Sequence, residues 1–419
     1  MKKSNNTAAD PIEKPGVIQT GAVMLFLALF AFPLYPLKLA NGILIAFYVA
    51  TAVAYFAKPV PIGKPLLRNL IFFIPFLPYF IEAAVNGFAP APLFETEKKL
   101  FFYTAHLILP IFFAATKFRN YKLALLIFSV SVALQTVYGF GALLAEGSLS
   151  SGASMGGSQL LRDHFESVTH IHPTYYSVFA LLAAAFFIQA SLHVQIGYRI
   201  LMYLIAVIMI VVVFILAARI AFIIAGAFFI IWLIVWKAPK IRKGIVSGVA
   251  AGVMVAAVFL IPSLNERFRE MSSWTQGRSP VHNTFSQRIT IMECALEVFG
   301  DHLLLGTSAT GSQAALNDCY VSKGMPLTPD RSYNPHNQYL SLGINYGIFV
   351  LLIFLAALFL LFRKIFRTPE GLYFGVAIVL VFMTESILDR QLGVFCFGLI
   401  GMLLYNTTRE KTVNIDPTP

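Results

Sequence analysis

The chain has 419 residues, of which 58% are hydrophobic and only 12% are charged, and its mean hydropathy is +0.75. Soluble domains carry about 25% charged residues, so this composition excludes a soluble globular protein and indicates a membrane protein. The formal net charge of +11 raises the alternative of nucleic-acid binding, which is decided by where the basic residues lie.

Apolar segments recur along the chain, and about twelve of them are long enough to cross roughly 30 Å of hydrocarbon. We expect all of them to be helices, because exposed strands cannot cross lipid unless they close a barrel. The first segment is not a cleavable signal peptide, since it lacks a small-x-small site and further segments follow at once. The predicted spans are 17–35, 39–57, 66–87, 100–116, 123–145, 172–192, 200–218, 220–236, 244–262, 337–362, 371–388 and 392–406. The predicted fold class is therefore an all-α polytopic membrane protein.

Lysine and arginine collect in alternate connecting segments, as they do in the cytoplasmic loops of membrane proteins. The residues that define this pattern are Lys2, Lys3, Lys14, Lys58, Lys64, Arg68, Lys117, Arg119, Lys122, Arg199, Lys237, Lys240, Arg242, Lys243, Arg363, Lys364, Arg367, Arg409 and Lys411. Both termini are thus predicted inside, and the loops 88–99, 146–171 and 263–336 outside. The excess of basic residues therefore indicates how the chain is oriented in the membrane, and nucleic acid is not a predicted partner.

Three parts follow from this topology: residues 1–262 with spans 1–9, a large outer loop at 263–336 with amphipathic helices, and residues 337–419 with spans 10–12 and a cytoplasmic C-terminus. Cys294 and Cys319 both lie in the large loop. An oxidising compartment would allow a disulfide between them. The sequence alone does not show whether their Cα atoms approach closely enough.

The first candidate functional residues in chain order lie on the predicted outer face. Lys98 and Lys99 depart from the positive-inside pattern and could hold an anionic headgroup or acceptor. The segment ESVTHIHPTYYS (166–177) contains His170 and His172. A metal site built on this His-x-His pair needs further ligands that the segment does not supply, so we favour anchoring at the membrane interface.

Arg219 is the only charged residue between Arg199 and Lys237, in a segment with enough apolar residues for two spans. The topology places it in a tight turn on the outer side. An ionisable residue in such a place is a functional hypothesis by default. The alternative is an arginine that marks the turn and extends to the lipid headgroups.

The large loop is rich in arginine, whose planar guanidinium matches two phosphate oxygens at once. Its basic residues are Arg267, Arg269, Arg278, Arg288, Lys323 and Arg331. The alternative is that they pair with acidic residues of the same loop. Apolar residues at three- and four-residue steps between Ile289 and Phe299 predict a helix beside which Arg288 lies, and a Gly/Ser/Thr-rich turn follows it.

The segment RSYNPHNQYLSLGINYG (331–347) is unusually polar for the beginning of a span, because His336 stands among Asn334, Asn337 and Gln338. A histidine is suited to general-base work near neutral pH, and the amides could orient its ring or bind sugars. The alternative is a hydrogen-bonded structural histidine. Glu385, Asp389 and Arg390 lie near the outer end of the eleventh predicted span. They could form a structural ion pair or support a functional site.

Three motifs together resemble the O-antigen ligase and O-antigen polymerase superfamily of membrane glycosyltransferases. The H-N-x-x-L…G-[IL] signature at the end of the family's large periplasmic loop is similar to PHNQYLSLGINYGIFVLL (335–352). The preceding family segment resembles FSQRITIMECALEVFGDHLLLGTSATG, and the family's [ST]-R-x-x-x span start resembles LAARIAFIIAGA (216–227). Two features depart from the family pattern: Ala217 and Ala218 replace the common Thr or Ser, and GTSATG replaces a plainer Gly-x-Gly.

The resemblance implies a GT-C-like glycosyltransferase of the Gram-negative inner membrane. Its reaction would be the metal-independent, inverting transfer of polysaccharide from undecaprenyl pyrophosphate to lipid A-core on the periplasmic side, in lipopolysaccharide biosynthesis. His336 would be the catalytic base, and Arg219 and Arg288 would bind the donor pyrophosphate. No cofactor is expected, since the chain has no Asp-x-Asp metal motif. The secondary candidates are Asn334, Asn337, Gln338, Arg331, Arg278, His172, Asp389, Lys98 and Lys99.

Three alternatives stay open. An O-antigen polymerase shares the membrane plan, and an O-linked protein oligosaccharyltransferase of the same superfamily usually has a longer outer C-terminal part. A lipid-linked glycan transporter would be expected to show paired acidic residues deep in spans or inverted repeats. Neither feature is evident in the sequence.

Overall fold

A computed structural model describes residues 16–85, 103–147, 157–235, 284–325 and 333–408, with scattered residues between 239 and 265. The described ranges contain fifteen α-helices and no strand. The helices are α1 (Val17–Leu29), α2 (Leu37–Ala57), α3 (Gly63–Phe73), α4 (Leu77–Val85), α5 (Ala105–Thr116), α6 (Tyr121–Ala145), α7 (Gly157–Thr169), α8 (Pro173–Ser191), α9 (Ile196–Ile215), α10 (Arg219–Val235), α11 (Thr284–Asp301), α12 (Ser312–Ser322), α13 (Gln338–Ile365), α14 (Pro369–Phe382) and α15 (Gln391–Thr407).

Six helical segments are long and apolar enough to cross a membrane. They are α2, α6, α8, α9, α13 and the continuous stretch Gly63–Val85, in which a short 3-10 turn joins α3 to α4. Helices α1, α5, α10, α14 and α15 are shorter apolar helices of 10–17 residues. The polytopic helical architecture predicted from the sequence is therefore present. Most of the predicted span 244–262 lies outside the described residues, so the number twelve stays a prediction.

Packing around α8 forms the centre of the bundle, because nearly every side chain of α8 is buried among α6, α9, α10 and α14. A second aromatic layer joins α1, α2 and α5 through Phe26, whose ring centroid lies 5.7 Å from Phe47 and 4.5 Å from Phe112. Lipid tails are as apolar as these side chains, so close packing rather than removal of apolar surface from water holds the helices together.

Basic residues from three separate segments meet at the C-terminal end of α15. The Arg119 Nη1 donates to the Asn406 carbonyl oxygen at 3.0 Å. Arg68 and Lys364 lie over the Tyr405 ring, 5.5 Å and 4.4 Å from its centroid. The sequence pattern predicts that these cations lie on one side of the membrane, and in the structure they lie together at one end of the bundle.

The large loop contains α11 and α12, which a disulfide between Cys294 and Cys319 joins, with a Cα–Cα distance of 5.7 Å. The structure thus decides the pairing that the sequence left open. Ile291 and Tyr320 pack beside the disulfide, and Ile344 of α13 belongs to the same small core. The two loop helices are therefore fixed to a membrane-spanning helix.

Helix α13 is broken at Gly347, where φ is 78° and ψ is −177°. The residues 303–308, which we call the docking turn, pair with the backbone groups around this break. The Ile348 N–H donates to the Leu303 carbonyl at 2.8 Å, and the Thr307 and Ser308 N–H groups donate to the Ile344 and Asn345 carbonyls at 2.7 and 2.9 Å. Only glycine fits at 347, since a Cβ would collide with the Leu304 carbonyl oxygen.

Glu82 of α4 fixes the backbone immediately after the docking turn. Its carboxylate accepts hydrogen bonds from the Ala309 and Thr310 N–H groups at 2.9 and 3.1 Å and from the Thr310 hydroxyl at 2.9 Å. The Tyr346 hydroxyl donates to the same carboxylate at 2.8 Å. One acid therefore joins α4, the large loop and α13.

We expect Gly347→Ala to destabilise the protein. The left-handed φ and the clash with Leu304 each oppose a methyl group, and strained backbone of this kind costs about 1–3 kcal/mol. Thermal unfolding in detergent should show a lower midpoint than the native chain. Gly141→Ala in α6 is the matched control, because a Cβ there meets no atom within 4 Å. Equal midpoints for the two variants would contradict the role given to the break.

Candidate functional site

A cavity of about 860 Å³ lies where α8, α13 and α15 begin, at the opposite end of α15 from the basic cluster. Helix α7 and the segment after the docking turn close its sides. Its ionisable lining residues are Arg162, Glu166, His170, His172, Arg288, His336, Glu385, Asp389 and Arg390. Its other polar lining residues are Tyr79, Gln159, Tyr175, Thr310, Ser312, Gln313, Asn334, Ser341, Asn345 and Gln391. Three helix N-termini thus direct their positive dipole ends toward a space lined with arginine, a combination that favours anions.

His336 lies in the turn immediately before α13 with a left-handed φ of 46°. Its backbone N–H donates to the Asn334 side-chain oxygen at 3.1 Å, which stabilises this uncommon conformation. The ring Nδ1 lies 3.0 Å from Glu385 Oε2. Among the described residues the contacts of the ring run through Nδ1, so Nε2 is the nitrogen that a ligand in the cavity can meet.

Glu385 holds His336 and Arg288 together from the loop after α14, which ends at Phe382. Its Oε1 accepts from the Arg288 Nη2 at 3.1 Å, and its side chain is only 8% exposed. Burial acts to raise the pKa of this carboxyl, but the His336 hydrogen bond and the Arg288 charge outweigh burial and hold the pKa below its usual value. An ionised carboxylate only accepts hydrogen bonds, so the His336 Nδ1 is the donor in this contact.

Arg288 therefore lies in the cavity as the sequence analysis expects, but it is already paired. One nitrogen of its guanidinium contacts Glu385, and its side chain is half-exposed. A guanidinium has five N–H donors in a fixed plane. The remaining donors can contact a ligand without breaking the pair.

Arg162 of α7 is a cavity residue that the sequence analysis did not select. Its Nη1 donates to the Leu216 carbonyl at 3.0 Å, and its Nη2 lies 3.5 Å from the Thr174 hydroxyl. Arg390, which the sequence analysis mentioned only beside two acids, also lines the cavity. Among the described residues, three guanidinium groups line the cavity, contributed by residues 162, 288 and 390.

Arg219 does not line the cavity. It is the first residue of α10 and is half-buried, two residues after Ala217, which has a left-handed φ of 48°. The same turn presents the Leu216 carbonyl to Arg162. Arg219 and Arg288 therefore do not line the cavity together. Arg162 lines it instead, beside the turn that precedes Arg219.

His172 caps the N-terminus of α8, where its Nδ1 accepts from the Thr174 N–H at 3.3 Å. Burial, strengthened by the charge of Arg162, lowers the pKa of His172 to about 4. The ring is neutral at physiological pH. It forms a wall of the cavity without adding charge.

The amides next to His336 have different roles. Asn334 lines the cavity, whereas the Asn337 side-chain oxygen caps α13 by accepting from the Tyr339 and Leu340 N–H groups at 3.0 and 3.1 Å. Gln338 is buried and accepts from the Leu388 N–H at 2.7 Å. Asn337 and Gln338 thus fix the beginning of α13 to the loop that carries Glu385.

Asp389 lines the cavity and accepts a hydrogen bond from the Ser341 hydroxyl at 3.0 Å. Four further candidates lie outside the described residues: Lys98, Lys99, Arg278 and Arg331. Within the described ranges, no three residues of the types His, Cys, Asp and Glu form a group that could hold a metal ion.

We expect Glu385→Gln to lower stability at neutral pH by about 1.5–3 kcal/mol, because the substitution removes a charged acceptor from two partners. Because the pKa of Glu385 is lowered in the folded chain, the stability also depends on pH, in a direction that can be predicted. The ionised carboxylate stabilises the native chain above its ordinary pKa of 4.5, and this contribution disappears as the pH falls through the lower folded-state value.

The measurement is the thermal unfolding midpoint between pH 3 and pH 7. The native chain should lose more stability on acidification than Glu385→Gln does. Glu297→Gln is the control, since Glu297 is half-exposed and pairs with Lys323 at the surface at 3.1 Å. A surface pair contributes under about 1 kcal/mol. The same pH profile for Glu385→Gln and the native chain would show that Glu385 is not ionised in the fold.

The family model described as O-antigen ligase matches residues 204–355. This match confirms the resemblance that the motifs indicate, and the matched stretch contains Arg219, Arg288 and His336. It ends before Glu385, Asp389 and Arg390. No curated protein matches the chain significantly.

Proposed function

We propose that this chain, with its O-antigen ligase family segment, transfers polysaccharide from undecaprenyl pyrophosphate to lipid A-core. The observation that carries the proposal is the contact of His336 with the ionised Glu385 in a cavity that also holds three arginines. A base and an anion-binding wall face the same space. Glycosyl transfer from a lipid pyrophosphate needs both.

The donor binds through its pyrophosphate on the arginine side of the cavity. Charge accumulates on the pyrophosphate as the glycosidic bond breaks, and preorganised cations stabilise it where water is scarce. Arg162, Arg288 and Arg390 are the residues we assign to this role, since guanidinium groups bind phosphate oxygens in pairs. Arg219, one of the two donor-binding residues expected from the family, would support this wall through the turn that contacts Arg162.

The acceptor hydroxyl approaches His336. Nε2 takes the hydroxyl proton while the oxygen attacks the anomeric carbon, and the bond from that carbon to the pyrophosphate oxygen breaks. Glu385 stabilises the imidazolium that forms, as a buried carboxylate does beside a catalytic histidine. A single displacement of this kind inverts the anomeric configuration. The cations of the three arginines supply the electrostatic stabilisation that a metal supplies in other transferases.

The remaining polar wall of the cavity suits a sugar. Thr310, Ser312, Gln313 and Asn345 also line the cavity and offer hydroxyl and amide groups. Such groups are typical of sites that hold a polar ligand in one orientation. Glu82 fixes the beginning of this wall by accepting from the Ala309 and Thr310 N–H groups.

Two observations support a site on the periplasmic face of the inner membrane. The Cys294–Cys319 disulfide is of a kind that persists in oxidising compartments such as the bacterial periplasm. Arg68, Arg119 and Lys364 lie at the far end of the bundle, as expected for a cytoplasmic side rich in Lys and Arg. Both donor and acceptor are lipid-anchored at the periplasmic face.

The test of this function is transfer by the purified protein in vesicles. Undecaprenyl-pyrophosphate-linked glycan together with lipid A-core should give glycosylated lipid A-core, in the presence of excess EDTA. The donor alone should give no glycan chains that are longer than those supplied. Chain growth on the donor without lipid A-core would indicate a polymerase. Loss of transfer in EDTA that Mg²⁺ or Mn²⁺ restores would contradict the role given to the arginines.

His336→Gln should separate chemistry from binding. Gln keeps a polar side chain of similar reach but has no basic nitrogen, so transfer should fall by about 10²–10⁴-fold, the usual effect of losing a general base. Affinity for the lipid-linked donor should stay close to that of the native chain, because the pyrophosphate is assigned to the guanidinium groups and the His336 ring to the acceptor. Single-turnover rates and donor-binding titrations measure the two effects.

Arg162→Ala provides the contrast to His336→Gln. It should weaken donor binding and transfer together, whereas Arg162→Lys should restore only part of the binding, since one ammonium group cannot replace a bidentate guanidinium. Near-normal transfer by His336→Gln would reduce His336 to a hydrogen-bonding residue. Unchanged donor affinity in Arg162→Ala would remove Arg162 from the pyrophosphate site.

A further inference from the structure

Three consecutive leucines at residues 303–305, which we call the leucine tip, project from the outer loop. Leu304 is 61% exposed and Leu305 is 82% exposed. Single exposed leucines are ordinary on a protein surface, but a contiguous apolar patch marks a surface that contacts something else. The tip belongs to neither core cluster of the described residues.

Backbone hydrogen bonds fix the level of the leucine tip along α13. The Leu303 carbonyl accepts from the Ile348 N–H, which is ten residues after Gln338, the first residue of α13. At 1.5 Å per residue this distance along the helix is about 15 Å. Helix α13 is one of the six segments long and apolar enough to cross a membrane. The tip is therefore held beside a spanning helix, well below its first turn.

The surface of α13 next to the tip is itself apolar and exposed. Phe349 follows Ile348 directly, and Leu352 and Phe359 continue the exposed face further along the helix. On a spanning helix such a face contacts lipid. The leucine tip extends this face sideways, from α13 onto the outer loop.

Part of the backbone of the tip is turned toward α13, where a Cβ at Gly347 would collide with the Leu304 carbonyl oxygen. Lipid offers no partners to backbone polar groups, so irregular backbone enters the bilayer only where protein satisfies it. The Leu303 carbonyl bonds to Ile348, and the Gly306 N–H donates to the His302 carbonyl at 2.9 Å. The exposed Asp301 and His302 precede the tip and give it a polar boundary.

We propose that the leucine tip is a re-entrant anchor, inserted among the lipid acyl chains of the leaflet on the cavity side. It would hold the outer loop at a fixed depth, and with it Arg288 of α11 and the Thr310 wall of the cavity. The occupant of this surface is the hydrocarbon of the bilayer itself. This inference does not depend on glycosyl transfer.

The native cysteines make a site-specific probe practical. Cys294 and Cys319 form the disulfide and Cys396 is fully buried, so the native chain offers no accessible thiol among the described residues. Leu305→Cys, labelled with an environment-sensitive fluorophore such as nitrobenzoxadiazole, reports on the tip. The protein is reconstituted in phosphatidylcholine vesicles with or without doxyl groups on the acyl chains.

We expect blue-shifted emission from the label at 305, several-fold stronger quenching by doxyl lipids than at a water-exposed position, and little quenching by aqueous iodide. Val321→Cys on α12 is the matched control. Val321 is 63% exposed and lies close to Lys323, which forms surface ion pairs with Glu293 and Glu297. Its label should show the opposite pattern.

Strong iodide quenching and weak doxyl quenching at position 305, the pattern expected at position 321, would overturn the proposal, since the tip would then be in water. Leu304→Cys is a second reporter and tests the same prediction if Leu305→Cys does not yield folded protein. Iodide quenching of both tip labels would likewise exclude insertion. Wild-type protein treated with the same reagent gives the background labelling.

Discussion

The hydrogen bonds around Gly347 are the constraint on which the rest of the site depends. A break in a spanning helix leaves backbone groups without partners, and in a membrane each such group costs several kcal/mol unless protein satisfies it. The docking turn supplies those partners for Ile344, Asn345 and Ile348. The loop that carries α11 and α12 is thereby tied to α13, the helix that begins beside His336.

Two carboxylates also hold the loop in place, and each joins parts of the chain that are distant in sequence. Glu82 binds the backbone after the docking turn and so positions Thr310 at the cavity wall. Glu385 binds Arg288 and His336, one from the outer loop and one from the beginning of α13. The outer loop is therefore held at three places: by the backbone of α13, by an acid of α4 and by an acid after α14. The two side chains proposed for binding and for chemistry take their relative position from these contacts.

The sequence predicted the helices because apolar runs are local, and it singled out His336 and Arg288, which line the cavity, because they are chemically unusual where they stand. The partners of those residues were harder to predict. Glu385 is 49 residues from His336, and only the fold brings them together. Glu82 offered a signal, since an acid inside a predicted span is a functional hypothesis by default. Arg162 gave none, because an arginine on an outer amphipathic helix is ordinary. Arg219 gave a strong signal, yet the cavity lies beside its turn and not against its side chain.

The pairing of Arg288 with Glu385 also explains how a cavity with three arginines stays stable before a ligand arrives. Unpaired cations in a partly buried space are costly, and the acidic lining residues Glu166, Glu385 and Asp389 balance them. Burial, with the charge of Asp163, raises the pKa of Glu166, so the Glu166 carboxylate is protonated more readily than that of Glu385. A pyrophosphate would therefore meet arginines that are already oriented by fixed partners. The ion pair with Glu385 does not have to break, because the guanidinium plane offers donors on more than one side. Orientation before binding is what electrostatic stabilisation of a leaving group requires.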